Sequence, residues 1–142
     1  MSTIEQITSI EDYRGERPEG WGVEAGFQIH TNQQTITLAI ADESSCCESW
    51  GYFLTEDNLD KFVGAELLGV KITDTNRSTK HFTTGWSEEG DNNIALDEGD
   101  TLFVDIETDR GNLQFVAYNA QNGYYGHAAR VSSEQLTLEK VL

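Results

Sequence analysis

The sequence predicts a single α+β domain, built mainly from antiparallel β-sheet with one or two short helices. Three observations support this fold class. The 142 residues suit one domain. The apolar residues, 37% of the total, are grouped in short runs rich in β-branched and aromatic side chains. Polar, glycine-containing segments separate these runs, as turns separate neighbouring antiparallel strands.

The chain begins with a polar stretch. Residues 1–22 include the one proline of the sequence, Pro18. They predict an N-terminal arm or a first irregular segment, with a short helical turn as an option. The β-rich domain is then predicted over residues 23–142. The N-terminus lacks the basic start and apolar centre of a secretory signal, and no window approaches the roughly 20 apolar residues of a membrane helix, so we expect a cytoplasmic protein.

Two runs predict the first hairpin. Residues 23–30 (VEAGFQIH) alternate loosely between apolar and polar side chains and end at a polar turn over residues 31–34. In residues 35–41 (TITLAIA), alternate side chains share one apolar face by the two-residue period of a strand. After a break in the pattern, residues 50–54 (WGYFL) predict another short strand.

A short helix is predicted over residues 56–63. Thr55 is suited to cap it, and Glu56 and Asp57 suit the positive end of the helix dipole. Apolar residues recur at helical spacing within the segment, and Gly64 is a natural stop.

The clearest hairpin joins residues 101–107 (TLFVDIE) to residues 113–119 (LQFVAYN). The residues between them have turn chemistry, with Gly111 available for a positive φ. Further strands are predicted over residues 65–73, 81–86 and 124–131, with turns or loops over residues 74–78, 87–93 and 120–123, and residues 134–142 fit either a helix or a strand.

The charge balance is strongly acidic. Twenty-five acidic residues face nine basic ones, a formal net charge of −16. Solubility of a small domain needs a net charge of only ~2–8 in magnitude. An excess this large repels nucleic acid and anionic membranes and attracts basic surfaces. Salt adaptation, plain solubility and a partner with a basic groove all explain it.

The acids are concentrated between Lys80 and Arg110, where nine acids and no lysine or arginine occur. Within the predicted strand and turn, Asp105, Glu107 and Asp109 share one face by period two. Carboxylates so placed lie about 7 Å apart, close to the spacing of phosphates along a nucleic acid strand. The predicted partner-binding residues are therefore Glu88, Glu89, Asp91, Asp97, Glu98, Asp100, Asp105, Glu107 and Asp109. An ordinary solvated sheet face explains the same pattern.

Cys46 and Cys47 stand side by side. Structural zinc sites usually need four ligands at wider spacings, and the adjacent Glu48 disfavours the thiolate that a nucleophile requires. A calcium loop over residues 91–100 lacks the EF-hand pattern. We therefore predict no metal and no catalytic residue, and interpret the cysteine pair as a structural corner with one buried thiol.

A second cluster of interest is residues 122–127 (NGYYGH). An Asn-Gly turn flanked by cross-strand tyrosines explains most of it. The alternative is a ligand pocket with aromatic walls and a titratable imidazole. That pocket would be formed by Cys46, Cys47, Trp50, Tyr124, Tyr125 and His127.

Three of these segments carry a family resemblance. Cys46-Cys47-Glu48, residues 57–64 (DNLDKFVG) and the Asn-Gly-Tyr-Tyr turn at 122–125 resemble the signature of a family of small uncharacterised domains from phages and bacteria. The resemblance spans residues 35–132. It implies a β-rich fold and a phage context, hence the host cytoplasm, but no established activity. Many small acidic phage proteins block host defences.

The functional expectation follows from the charge, the resemblance and missing motifs. The sequence has no GxSxG, P-loop, HExxH or dinucleotide fingerprint, so we expect a non-enzymatic protein without a cofactor. We expect it to inhibit a host nucleic-acid-targeting defence enzyme, for example a CRISPR nuclease, by occupying its basic surface. The alternative is a protein that sequesters a small ligand such as a nucleotide signal. Direct nucleic acid or membrane binding is not expected, and the oligomeric state is left open.

Overall fold

A computed structural model describes residues 2–13, 24–41, 50–56, 58–77, 81–84, 93–96, 100–119, 128–134 and 136–142. The strands within this part of the chain are β1 (Ser2–Tyr13), β2 (Glu24–Thr31), β3 (Thr35–Ala41), β4 (Trp50–Leu54), β5 (Glu66–Thr73), β6 (His81–Thr84), β7 (Asn93–Leu96), β8 (Asp100–Thr108), β9 (Gly111–Asn119), β10 (Ala128–Ser132) and β11 (Thr137–Val141). A 3-10 helix spans Leu59–Phe62. The domain is therefore mostly antiparallel β-sheet with almost no helix.

Nine of these strands form one sheet in the order β11-β10-β3-β2-β1-β5-β8-β9-β4. All of its described pairings are antiparallel. Strand β1 connects the two halves of the sheet, since Ser2 and Thr3 pair with β5 whereas the residues from Ile4 to Tyr13 pair with β2. A register shift follows Ile4, where the strand passes from one half to the other.

The sheet folds over on itself. Strands β2 and β9 are separated by three strands in the sheet order. Nevertheless, the rings of Phe27 in β2 and Phe115 in β9 lie 6.3 Å apart, edge to face. The two halves therefore pack face to face and enclose the core. Its fully buried side chains include Ile4, Ile29, Ile36, Leu38 and Ile40 from one half and Leu102, Val104, Ile106, Leu113 and Phe115 from the other.

A second contact closes the fold near the C-terminus. The side-chain amide of Asn119 donates to the carbonyl of Leu142 at 3.0 Å, and the Lys140 ammonium donates to the carbonyl of Thr101 at 3.2 Å. The last strand of one half is thus hydrogen-bonded to the ends of β8 and β9 in the other half.

The predicted hairpins are confirmed. Strands β2 and β3 pair from Glu24 opposite Ala41 to His30 opposite Thr35, and β8 pairs with β9 along its whole length. Gly111 has a φ of 111°, as expected for the residue that reverses the chain there. The hydroxyl of Thr108 donates to the Gly111 carbonyl at 2.6 Å, which fixes the turn. Residues 134–142, for which helix and strand were both open, contain strand β11.

The prediction of an irregular arm at the N-terminus is wrong for Ser2–Tyr13, which forms the longest described strand. Ile4 is buried, and Ile7 packs against the core. The polar appearance of this segment comes from serine, threonine and acidic side chains between the isoleucines. Such a strand needs only a few inward apolar residues, so its average composition resembles that of an arm.

The predicted helix over residues 56–63 shortens to the 3-10 helix Leu59–Phe62. Thr55 does not cap it. The Thr55 backbone N–H donates to the Gln114 carbonyl at 3.0 Å, and the Thr55 hydroxyl accepts from the Gln114 N–H at 3.1 Å. Thr55 thus extends the pairing of β4 with β9. Because Thr55 is hydrogen-bonded in the sheet, it is not the helix cap that the sequence pattern predicted.

A feature the sequence did not predict is the short parallel pair β6–β7. It lies in the chain between β5 and β8, which are themselves neighbours in the sheet. Residues 74–99 are therefore an insertion in what would otherwise be a β5–β8 hairpin. Strand β7 occupies residues that the calcium-loop alternative assigned to a loop.

Candidate functional site

The structure corrects the predicted row of carboxylates on β8. Leu102, Val104 and Ile106 face the core, as predicted. Asp105, however, is 0% exposed, and Phe103 on the same outer face is also buried. The outer face of β8 is therefore covered, and Asp105 is inaccessible to a partner protein.

Residues that follow β5 cover this face through a polar cluster. The Nε of Arg77 donates to both carboxylate oxygens of Asp105, at 3.1 and 3.0 Å. Gln114, which lies opposite Asp105 on β9, donates from Nε2 to the Asp105 Oδ1 at 2.8 Å. We call Thr75, Arg77, Asp105 and Gln114 the clasp.

Gln114 ties the clasp to the main chain of the insertion. Its Oε1 accepts from the backbone N–H of Arg77 at 3.0 Å, and its Nε2 donates to the carbonyl of Thr75 at 2.8 Å. In the described part of the chain, every buried side-chain nitrogen and oxygen has a hydrogen-bond partner. The two buried members of the clasp, Asp105 and Gln114, thus have partners for their polar side-chain atoms, and the chemistry of the clasp is that of an anchor.

The other two members of the predicted row have local partners. Glu107 forms an ion pair with Lys71 on β5. Asp109 lies exposed in the β8–β9 turn, where its Oδ1 accepts from the Glu66 N–H at 2.9 Å. Asp105, Glu107 and Asp109 therefore do not form one solvent-facing row.

All but two of the remaining predicted site residues lie outside the described residues. This holds for Glu88, Glu89, Asp91, Asp97 and Glu98 of the partner-binding set, and for Cys46, Cys47, Tyr124, Tyr125 and His127 of the alternative pocket. The backbone of Asp100 begins β8, and that of Trp50 begins β4. Both residues pair with Asn119, so these two predicted residues flank the same end of β9.

Comparison with known proteins gives one match. The family model "Domain of unknown function (DUF7448)" matches residues 3–131. The chain belongs to this family. No curated protein and no solved structure gives a significant match. Membership in DUF7448 confirms an uncharacterised domain family, while the Cys-Cys-Glu and Asn-Gly-Tyr-Tyr signature is not tested by the match.

In this DUF7448 domain, the buried acids are neutralised. Glu24 and Asp105 are the buried carboxylates of the described part. The Nη2 of Arg130 donates to Glu24 at 2.7 Å, as Arg77 donates to Asp105. Burial of an unpaired carboxylate is strongly unfavourable, so each arginine is required where it lies.

Exposed acids lie on several elements of the DUF7448 domain. The exposed carboxylates of the described part are Glu5, Asp60, Asp74, Asp109, Glu134 and Glu139. By contrast, four of the described bases, Lys61, Lys71, Arg77 and Arg130, are ion-paired with acids. Most of the described bases are thus paired with acids of the same domain, and exposed carboxylates remain on its described surface.

Sequence reasoning missed Arg77, Gln114, Glu24 and Arg130. Gln114 carried a signal, because it is a lone long polar side chain within an apolar strand. Such a residue implies a buried hydrogen-bonded network. Arg77 carried none, because its partner is 28 positions away in the chain.

Among the described residues, no helix is long and apolar enough to cross a bilayer. No group of three or more His, Cys, Asp or Glu side chains in the same residues is placed to hold a metal ion.

Proposed function

We propose that this chain is a non-enzymatic, acidic interaction protein of phage type that inhibits a host nucleic-acid-targeting defence enzyme. It would do so by occupying the basic surface that normally binds nucleic acid, a CRISPR nuclease being the leading example. The observation that carries the proposal is that both buried carboxylates of the described part are paired with arginines. The exposed acids of the described part lie at the surface, where a basic partner can reach them.

The surface proposed to bind the partner is not the predicted row of carboxylates along β8. Asp105 is removed from it, because that carboxylate anchors the clasp. The proposed contact residues are those of the insertion and its boundary, namely Glu88, Glu89, Asp91, Asp97, Glu98 and Asp100, with Asp109 and the partly neutralised Glu107 toward the other end of β8. Asp74, exposed at the start of the insertion, extends the set.

The mechanism is electrostatic competition. In an RNA-guided nuclease, lysine and arginine side chains line a channel for the nucleic acid backbone. Carboxylates presented to those side chains take the place of the phosphates. Opposite charges accelerate encounter and fix orientation, so the association should be fast and salt-dependent.

Two charge-neutralised variants of equal net charge test the proposed surface. The first carries Glu88→Gln, Glu89→Gln and Asp91→Asn. The control carries Glu5→Gln, Asp60→Asn and Glu134→Gln, three exposed acids outside the insertion. The rate of association with a guide-loaded CRISPR nuclease should fall about tenfold in the first variant at low salt and by much less in the control. Equal effects in the two would show that total charge, not this surface, governs binding.

A further inference from the structure

The chain that leaves β5 turns back over the outer face of β8. Thr73, the last residue of β5, pairs with Phe103. Within the next few residues, the Nε of Arg77 donates to Asp105, which itself pairs with Lys71 of β5. Between Thr73 and Arg77, the chain therefore reverses its course along β8 instead of continuing past the end of β5.

Two buried side chains of the sheet hold this reversal. Gln114 on β9 accepts from the Arg77 backbone N–H at 3.0 Å and donates to the Thr75 carbonyl at 2.8 Å. Asp105 on β8, which pairs with Gln114, accepts from the Arg77 side chain at 3.0 Å. Asp105 and Gln114 are both 0% exposed. The sheet therefore fixes the main chain and a side chain at the start of the insertion.

The far end of the insertion is also fixed on β8 and β9. Asp100, which follows the insertion, begins β8 and pairs with Asn119. Asp100 and Asp105 lie about 17 Å apart along an extended strand. The acids assigned to the partner between residues 88 and 98 lie between these two attachments in the sequence. The clasp thus sets the point and the direction at which the chain enters the acidic part of the insertion.

We propose that Asp105 and Gln114 are positioning residues for partner binding, because they orient the insertion whose acids contact the basic surface. Neither side chain can touch a partner, since both are buried. Their contribution is preorganisation, which reduces the conformational entropy lost when the acidic segment binds. This inference rests on the proposed function, which supplies the partner and the contact acids.

Removing the hydrogen bonds of Gln114 should change dissociation more than association. Gln114→Met keeps the length of the side chain and the net charge, so the long-range attraction to a basic surface is preserved. An insertion that is no longer held fits the partner less well, and a poorer fit is expressed mainly as faster dissociation. Unfolding of the variant acts differently, because it lowers the fraction of chains able to bind and leaves the dissociation rate unchanged.

The experiment measures the association and dissociation rates of the unmodified chain and Gln114→Met with a guide-loaded CRISPR nuclease. Gln28→Met is the matched control, because the Nε2 of Gln28 on β2 donates to the Thr37 hydroxyl on β3 at 3.3 Å, in the other half of the sheet. Amide hydrogen exchange by NMR reports on the Arg77 N–H that Gln114 holds. Arg77→Lys keeps the charge and the main-chain contacts of the clasp, and it is the second variant should Gln114→Met not fold.

Positioning predicts about tenfold faster dissociation of Gln114→Met, with association changed by no more than about twofold and Gln28→Met unchanged. The Arg77 amide should exchange about tenfold faster in Gln114→Met, while the amides of β2 and β3 stay protected. Arg77→Lys should dissociate faster in the same way.

Unchanged dissociation of the folded variants, or unchanged protection of the Arg77 amide in Gln114→Met, would overturn the inference and leave the proposed function standing. Slower association without faster dissociation would also overturn it, because unfolding alone explains that result. No binding by the unmodified chain would contradict the proposed function itself, and this inference with it.

Discussion

Arg77 and Asp105 form an ion pair that fastens the start of the insertion to the covered face of β8. The Nε of Arg77 lies 3.0 Å from the Asp105 Oδ2, and Asp105 is fully buried whereas the Arg77 side chain is 42% exposed. The pair therefore joins a solvent-accessible arginine to a carboxylate that has no solvent-exposed surface. This ion pair explains why Asp105, which the sequence predicted as a partner-binding residue, has a structural role instead.

Removing Arg77 should be more harmful than removing both members of the pair. Arg77→Gln leaves the Asp105 charge buried without a counter-ion. We expect a loss of about 3 kcal/mol in the free energy of unfolding, the low end of the range for such pairs because Arg77 is partly exposed. The double variant Arg77→Gln/Asp105→Asn should lose less than Arg77→Gln alone. Urea unfolding of the unmodified protein and the two variants measures this. A loss in the double variant as large as that in Arg77→Gln, or larger, would contradict the expectation.

Gly26 should be the least replaceable glycine among the described strands. It lies on β2 opposite Ala39, and an added Cβ would overlap the carbonyl oxygen of Leu38. Because that neighbour is backbone, Gly26→Ala should cost about 3 kcal/mol, near the upper end for overpacking. Gly69→Ala is the control, since its Cβ would meet the Glu107 Oε2 at an ordinary 3.5 Å. Thermal unfolding compares them, and similar melting temperatures would contradict the packing described for β2.

Tyr118 should make the domain sensitive to alkaline pH. Burial raises the pKa of its phenol above the usual 10.0. The unfolded chain then loses this proton at a lower pH than the folded chain does. The stabilisation is complete below pH 10 and is lost as the pH rises through the folded-state pKa. Unfolding measured from pH 8 upward should show a decline that is smaller in Tyr118→Phe. Identical pH profiles would refute this assignment.

The alternative small-ligand function predicts a different response. A nucleotide that binds the folded state raises the melting temperature, by an amount that grows with the logarithm of its concentration relative to its dissociation constant. The proposed protein-binding function predicts no shift with mono-, di- or cyclic nucleotides, with or without divalent metal ions. A clear, saturable shift that is lost in Tyr124→Ala or His127→Ala would favour the pocket and count against the proposal.

Much of the strand architecture is predictable because the core residues alternate. Leu38 and Ile40 on β3, and Val104 and Ile106 on β8, repeat with the period of a half-buried strand, and all four are fully buried. Ser2–Tyr13 escaped prediction because serine and threonine between isoleucines give a polar average. The local pattern therefore identifies a face reliably only where apolar residues dominate it.

The candidate site was less predictable, and Asp105 shows why. The alternation placed its side chain on the outer face correctly, but alternation does not tell what covers that face. The cover includes Thr75 and Arg77, which are distant in sequence and belong to the insertion. Long-range contacts of this kind depend on tertiary structure, which a single sequence pattern does not encode.

The proposed competition between the acidic surface and nucleic acid for a basic protein surface is tested by the affinity for a guide-loaded CRISPR nuclease as salt rises from about 50 to about 200 mM, with target DNA as competitor. We expect binding that weakens steeply with salt and is mutually exclusive with DNA. Binding that is independent of salt, simultaneous binding of DNA and this chain, or no binding at low salt would contradict it.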